Sequence, residues 1–493
     1  MSNVECRTDN KPTVQALKQP VLSLQQYELS PLQQGMLFHT LSSENSGVDM
    51  EQITMRLHEA LDVSLFVEAW QHVIAQHEIL RTRFDWEGAA TPQQIVMPAV
   101  DLPVFEHDLQ TQPPTAQRNF IKELRRTDRF TPFDLHNAPL MRLNIVQLAK
   151  TEFFVLWTFQ HILLDGRSFP LLLQQVFATY SALLTSDTLI ELAESRPFSD
   201  YIAWRAKQNF AHSEPYWRKQ LAGFSAKTAL DFGAAAQGAG ANWGEVEVQL
   251  SAETTATLNN FAHAQNVTLH TLIQAAWSLL LHHYSGENDI VFASTRACRH
   301  WADDAASMIG LFINTVPMRV RVSDTQPLHN YLQTLRQQQI DLREHEHTGL
   351  NDIQRWSDIG RGETLFDSLV VYDNATLHDR MQAFAGFEQR DFAYNGQTNF
   401  PLTVLAYGGK QLLLRIEHQV SRFSAETAQN ILDQLHTVLL NMLGRADTAA
   451  LAIPYLSARD YHQLFDKWNQ PISAAPTWAI HDKISAQAQL TPH

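Results

Sequence analysis

An alternation of strand-like and helix-like segments runs through this chain twice, on either side of a Pro-, Gly- and Ala-rich stretch, and few architectures accommodate that pattern. In the first half, Leu65, Phe66, Ala69, Trp70, Val73, Ile74 and Leu80 recur at threes and fours, which predicts an amphipathic helix capped by Asp62 or Ser64. Residues 140–148 and 152–159 are rich in Val, Ile, Phe and Trp and are separated by Ala149-Lys150-Thr151, which predicts consecutive strands. A loop and a helix through Leu171, Leu172, Val176 and Phe177 follow. Residues 194–199 contain proline, precede helical stretches at 201–208 and 214–221, and lead to the Gly/Ala-rich loop 233–240. Beyond it the pattern resumes: strand 245–250, helices 252–264 and 269–284, strands 289–293 and 314–322, helix 327–344, strands 365–372, 402–407 and 411–418, then helix 425–443. The expectation is an α/β (α+β) fold of two similar lobes, residues 24–195 and 196–454. Residues 1–23 are polar with two prolines and read as a flexible arm or docking segment, while 455–475 have linker composition.

Composition narrows the function classes. At 493 residues and 44% hydrophobic, the chain can bury the cores of two lobes. A net charge of −15 argues against nucleic acid as a partner, because phosphate neutralisation needs a basic face. Neither end carries an apolar run able to span a bilayer or a secretory leader, so no membrane association and a cytoplasmic location are expected. Cys6 and Cys298 alone provide neither a disulfide framework nor a metal cluster, and no Gly-rich phosphate loop appears, so neither a bound metal nor a nucleotide is expected.

The chemistry concentrates at Phe159-Gln160-His161-Ile162-Leu163-Leu164-Asp165-Gly166, at the exit of an apolar strand. A strand end followed by a tight turn holds side chains rigidly at a cleft. His161 titrates near neutrality and suits a base or hydrogen-bond acceptor. Asp165 can orient the loop by pairing with a cation, and the Gly166 amide can face a developing oxyanion unobstructed. Taken alone, an HxxxDG pattern is more often a buried histidine followed by a turn.

Further segments change that balance. Ser30-Pro31-Leu32-Gln33-Gln34-Gly35-Met36-Leu37-Phe38-His39, His77 to Phe84, Gln160 to Gly166, Phe198-Ser199-Asp200-Tyr201 with Trp204, Ile309 to Thr315 with Arg319, Glu346-His347-Thr348 with Asp352 to Trp356, and Leu365 to Ser368 follow one another in order. This series resembles the condensation domains of nonribosomal peptide synthetases, relatives of chloramphenicol acetyltransferase, over residues 27–454. The resemblance implies two chloramphenicol acetyltransferase-like lobes arranged as a V-shaped pseudo-dimer around a central tunnel. One departure stands out: the first histidine of the family's HHxxxDG is Gln160 here. Glutamine hydrogen-bonds but cannot titrate, so it can replace a structural imidazole and not a base; an active site built on His161 is expected.

By resemblance, the domain joins a donor acyl or peptidyl thioester to an acceptor aminoacyl thioester. Both are carried on phosphopantetheine arms of carrier proteins, and the domain itself binds no cofactor. His161, Asp165 and Gly166 are the implied catalytic set, His161 as base or positioning group and Asp165 as an ion-pair partner of Arg299 or Arg319. Asn314 is a tunnel-lining candidate, and Ser30, Gln33 and Gln34 read as scaffold. The SPLQQGMLFH opening resembles the subtype taking L-configured or achiral donors. Residues 476–493 resemble the start of an adenylation domain, and with Met1 as the natural start the donor carrier would arrive as a separate protein. A monomer is expected. A transferase using soluble acyl-CoA, and a degenerate domain that recruits partner proteins, are the alternatives.

Overall fold

The computed structural model describes residues 24–42, 47–88, 91–186, 189–232, 243–360, 362–469 and 479–491. The expected arm at 1–23, the loop 233–240 and the linker residues 470–475 lie outside the described residues.

A five-stranded sheet forms the first half, in spatial order Arg390–Asn395, Met50–Leu57, Glu152–Gln160, Met141–Ala149 and Val104–Asp108. All its pairings are antiparallel except the last. The helices Val63–Gln76 and Ser168–Ser186 cover one face. Asp62 caps the first of them, accepting from the Leu65 N–H at 3.1 Å. The interface is aromatic: Trp70 meets Trp157 at 4.9 Å between ring centroids and Phe66 meets Phe177 at 5.6 Å. Each such side chain contributes about 1.5–3 kcal/mol by leaving water. The other face packs Val146, Leu148, Phe154 and Leu156 against the helix Pro114–Arg129.

The second sheet has six strands, Asn314–Arg321, Asp289–Arg296, Ser368–Asp373, Leu402–Tyr407, Leu413–Gln419 and Trp243–Gln249 in spatial order. Its core centres on the helix Leu269–Ser285, buried nearly all round, with Trp277 donating to Ser368 Oγ at 3.1 Å. A small third sheet of Gln26–Glu28, Gln93–Val96 and Thr82–Asp85 flanks the first half.

A cut at 195/196 does not separate the two cores. Strand Arg390–Asn395 crosses back to pair with Met50–Leu57, Ala393 opposite Thr54. Phe198, Tyr201, Met308, Ile309, Leu311 and Phe312 are buried in the first core as well. Lobes joined this way cannot part without exposing apolar surface, which fixes what lies between them. Among the described residues no helix is long and apolar enough to cross a membrane.

Candidate active site

The loop after strand Glu152–Gln160 faces a cavity of about 1440 Å³ whose walls come from both halves, including His161 and Gly166 from the first and Asn314, Tyr407 and Glu417 from the second. His161 is half-buried, and its main-chain N–H donates to Asp49 O at 2.7 Å. Its Nδ1 lies 2.8 Å from Leu164 O. A carbonyl only accepts, so Nδ1 carries the hydrogen and Nε2 of the neutral ring keeps its lone pair.

Asp165 is fully buried, and both of its oxygens have donors. Oδ1 accepts from the Arg167 N–H at 3.2 Å, the Ser168 N–H at 3.1 Å, Ser168 Oγ at 3.0 Å and Arg299 Nη2 at 2.7 Å, and Oδ2 from the Phe312 N–H at 3.0 Å. Arg299 is held in turn by Ala305 O and Met308 O at 2.7 and 2.8 Å and stacks over Phe312 at 4.2 Å. Of the two arginines left open by the sequence, Arg299 is therefore the partner. Arg319 lies on the second sheet and pairs with Asp289 of the adjacent strand, with Nε 2.7 Å from Oδ1. It also donates to Gln220 O and Ala222 O at 2.9 and 2.8 Å, so its place is set within that half. Arg299 precedes the segment 305–312 that re-enters the first core, which carries it to Asp165.

The other expected residues fall around this centre in different roles. Gln160 is buried, and Nε2 donates to Thr40 Oγ1 at 3.0 Å, tying the strand end to the helix Pro31–Ser42. Ser30 and Gln33 bond reciprocally at the start of that helix: the Gln33 N–H donates to Ser30 Oγ at 3.3 Å and the Ser30 N–H to Gln33 Oε1 at 2.8 Å. Gln33 Nε2 then reaches Ile162 O at 3.0 Å, so the first sequence segment braces the His161 loop directly. Asn314 lines the cavity and spends both amide hydrogens on Glu346 O and Thr348 O, at 2.8 and 2.7 Å. Gly166 is exposed, and a Cβ there would meet only Phe169 at 4.0 Å.

A profile described as "Condensation domain" matches residues 23–465. The chain belongs to the condensation-domain family. It is 35% identical over 472 residues to one of the linear gramicidin synthase polypeptides of Brevibacillus parabrevis, covering 94% of this chain and 9% of that protein. Chondramide synthase of Chondromyces crocatus is 33% identical over 485 residues, 90% of this chain and 12% of the relative. The chain thus spans a small fraction of the length of the peptide synthases it matches. Among solved structures, the starter condensation domain of rhizomide synthetase matches with a TM-score of 0.72 and 20% identity, over 87% of this chain and 98% of the other. The X-domain from teicoplanin biosynthesis gives 0.74 and 19%, over 90% of this chain and 100% of that one. Both likenesses show the fold, the chloramphenicol acetyltransferase-like one. Condensation domains of nonribosomal peptide synthetases are amide-forming acyltransferases and work beside carrier and adenylation domains.

Asp49 is a wall residue that no sequence motif marks. It precedes strand Met50–Leu57 in a left-handed conformation, φ 59°, is 5% exposed, and its Oδ2 has no hydrogen-bond partner. Burial pushes its carboxyl up to about 7; a positive charge on His161 opposes that rise and Glu51 adds to it. Aspartate adopts positive φ more often than most non-glycine residues, though still at a cost, and that local turn preference was the only sequence signal at this position.

Proposed function

We propose that the cavity receives a donor acyl or peptidyl thioester and an acceptor aminoacyl thioester, both on phosphopantetheine arms of carrier proteins, and that His161 serves the attack of amine on carbonyl. The supporting observation is the tautomer: Nδ1 is committed to Leu164 O, which leaves the Nε2 lone pair on a cavity-lining ring. A thioester is already activated, so the work left to the protein is to position an uncharged amine and stabilise the tetrahedral oxyanion. In this reading Nε2 accepts the amine hydrogen, the Gly166 N–H stands nearest the oxyanion, and Asp165 holds the turn in shape through Arg299 without exchanging protons. Gln160 and Ser30 act as scaffold and Asn314 fixes the cavity wall. The domain works as a monomer, with an adenylation domain beginning near residue 476 in the same chain.

The test is intact-mass detection of condensed product on an acceptor carrier. Loaded donor and acceptor carriers, with an acyl-CoA donor as a second arm, are mixed with the native protein or with His161→Ala. Product from carrier-bound donor that falls about 10²- to 10⁴-fold with His161→Ala supports the reading. Turnover of acyl-CoA alone would make this a soluble-donor transferase, and a native protein silent across a broad donor panel would be a partner-recruiting domain.

A further inference from the structure

Asp49 is a buried carboxyl that the reaction outlined above does not use, and its setting is costly in two independent ways. A non-glycine residue at φ 59° costs of order 1 kcal/mol or more, and such strain persists where the surroundings over-determine it. Desolvating a carboxylate oxygen without a donor costs more. The position is nevertheless locked: Asp49 O takes the His161 N–H at 2.7 Å, and the next residue, Met50, stands opposite Gln160 in the sheet. Asp49 and His161 therefore share one wall of one cavity, tied backbone to backbone.

We propose that Asp49 is the group that receives the acceptor substrate's ammonium proton, so that His161 has only the second proton to handle. This rests on the amide-forming reading given above. The acceptor amine reaches the cavity as R–NH₃⁺, which has no lone pair. One N–H proton passes to the Asp49 carboxylate, and the freed lone pair forms the C–N bond to the donor carbonyl carbon. The second proton passes from nitrogen to His161 Nε2, and from there to the departing sulfur as the C–S bond breaks. The protonated Asp49 then releases its proton to solvent, and both side chains are restored.

The surroundings suit that exchange. The charged groups that act on Asp49 are His161 and Glu51. Tyr394 on the crossing strand and Tyr407 and Glu417 on the second sheet, with Arg415 beside Glu417, surround Glu51, and they and His39 on the helix Pro31–Ser42 line the same cavity. Arg129 packs against the preceding turn but spends Nη1 on Met50 O at 2.7 Å. A carboxyl lifted to about 7 by burial changes charge close to neutral pH, where a proton can be both taken and returned.

The test compares native protein, Asp49→Asn and Asp49→Gly with one carrier-bound donor and two acceptors, a glycyl-pantetheine thioester and its aminooxyacetyl counterpart, whose nitrogen is a much weaker base and is already neutral at neutral pH. Asparagine tolerates the left-handed conformation and glycine removes the strain, so at least one variant keeps the backbone contact to His161. The expected result is a loss of about tenfold or more with the glycyl acceptor near pH 7, by analogy with other positioned proton acceptors. That loss should shrink toward pH 9 and be absent with the aminooxy acceptor. Native-like rates at pH 7, or an equal loss with both acceptors at every pH, would overturn the inference and leave the amide-forming reading intact. A native protein silent with both acceptors would instead defeat that reading, and the inference with it.

Discussion

Two turns flank His161, and each carries a buried aspartate. In the turn that follows it, Asp165 is wrapped by main-chain N–H groups, the Ser168 hydroxyl and the Arg299 guanidinium. In the turn that precedes strand Met50–Leu57, Asp49 has an oxygen with no partner and a backbone in the left-handed region. A carboxylate with donors on both oxygens and an arginine counter-ion is already committed to its own loop, whereas one with an unpartnered oxygen beside a cavity is not. Both residues are buried aspartates; in the proposed reading, the difference in their hydrogen-bond partners separates scaffold from chemistry.

The largest effect is expected at Asp165. Asp165→Asn leaves the Arg299 guanidinium buried without its counter-ion, and breaking such a pair costs about 3–5 kcal/mol. Urea denaturation should show that loss together with loss of condensation, because the Asp165–Arg299 pair joins residues 134 positions apart across the two halves. A stability change below about 1 kcal/mol would mean that the turn holds its shape without the ion pair. Next comes Gly310, whose carbonyl accepts from the Asp165 N–H at 3.1 Å and Ser168 Oγ at 2.9 Å. Its φ is 156°, and an added Cβ would fall on the Phe198 ring, with Cγ at 2.9 Å. Gly310→Ala should cost about 1–3 kcal/mol by overpacking, measurable in the same denaturation.

Asp49 should couple stability to pH. Its folded-state carboxyl lies near 7 against an ordinary 3.8, so the folded protein holds a proton that the unfolded chain has lost between those values. The stabilisation is present at low pH and fades as pH rises toward about 7. Glu417, lifted from 4.5 to about 8 by burial, fades in the same direction over a slightly higher window. Asp49→Asn should therefore flatten the decline in urea midpoint between about pH 4 and 7 while leaving the part due to Glu417. An unchanged slope would show that Asp49 titrates normally and is not desolvated.

The turn carrying Asp165 was legible in the sequence because its determinants are local. An apolar strand, a tight turn and an amphipathic helix follow one another within 152–186, and periodicity finds each. Arg299 against Arg319 was not decidable, since the choice depends on a loop that dives into the other half's core. Strand Arg390–Asn395 was missed for a similar reason: RDFAYN is short and half polar, and its partner Met50–Leu57 lies more than three hundred residues away in the chain. Met50–Leu57 itself carries a readable alternation in Ile53, Met55 and Leu57, yet nothing local says that its first neighbour, Asp49, ends up beside His161.

Gln160 marks the smallest expected effect, and it sets the limit on how far the chemistry extends along the first turn. Its amide reaches Thr40 and not the reacting centre, and its main chain is fixed by the Leu140 carbonyl at 3.0 Å. An imidazole can donate to the same hydroxyl, so Gln160→His exchanges one neutral hydrogen bond for another of similar worth, about 0.5–1.5 kcal/mol. Stability should shift by less than about 1 kcal/mol, and the condensation rate should remain within about fivefold of native at neutral pH. A larger gain in rate, appearing only where the new imidazole titrates, would move residue 160 from scaffold into the proton path and set its present glutamine as a brake on the site. No gain at any pH leaves the chemistry with His161 and the unsaturated carboxyl beside it.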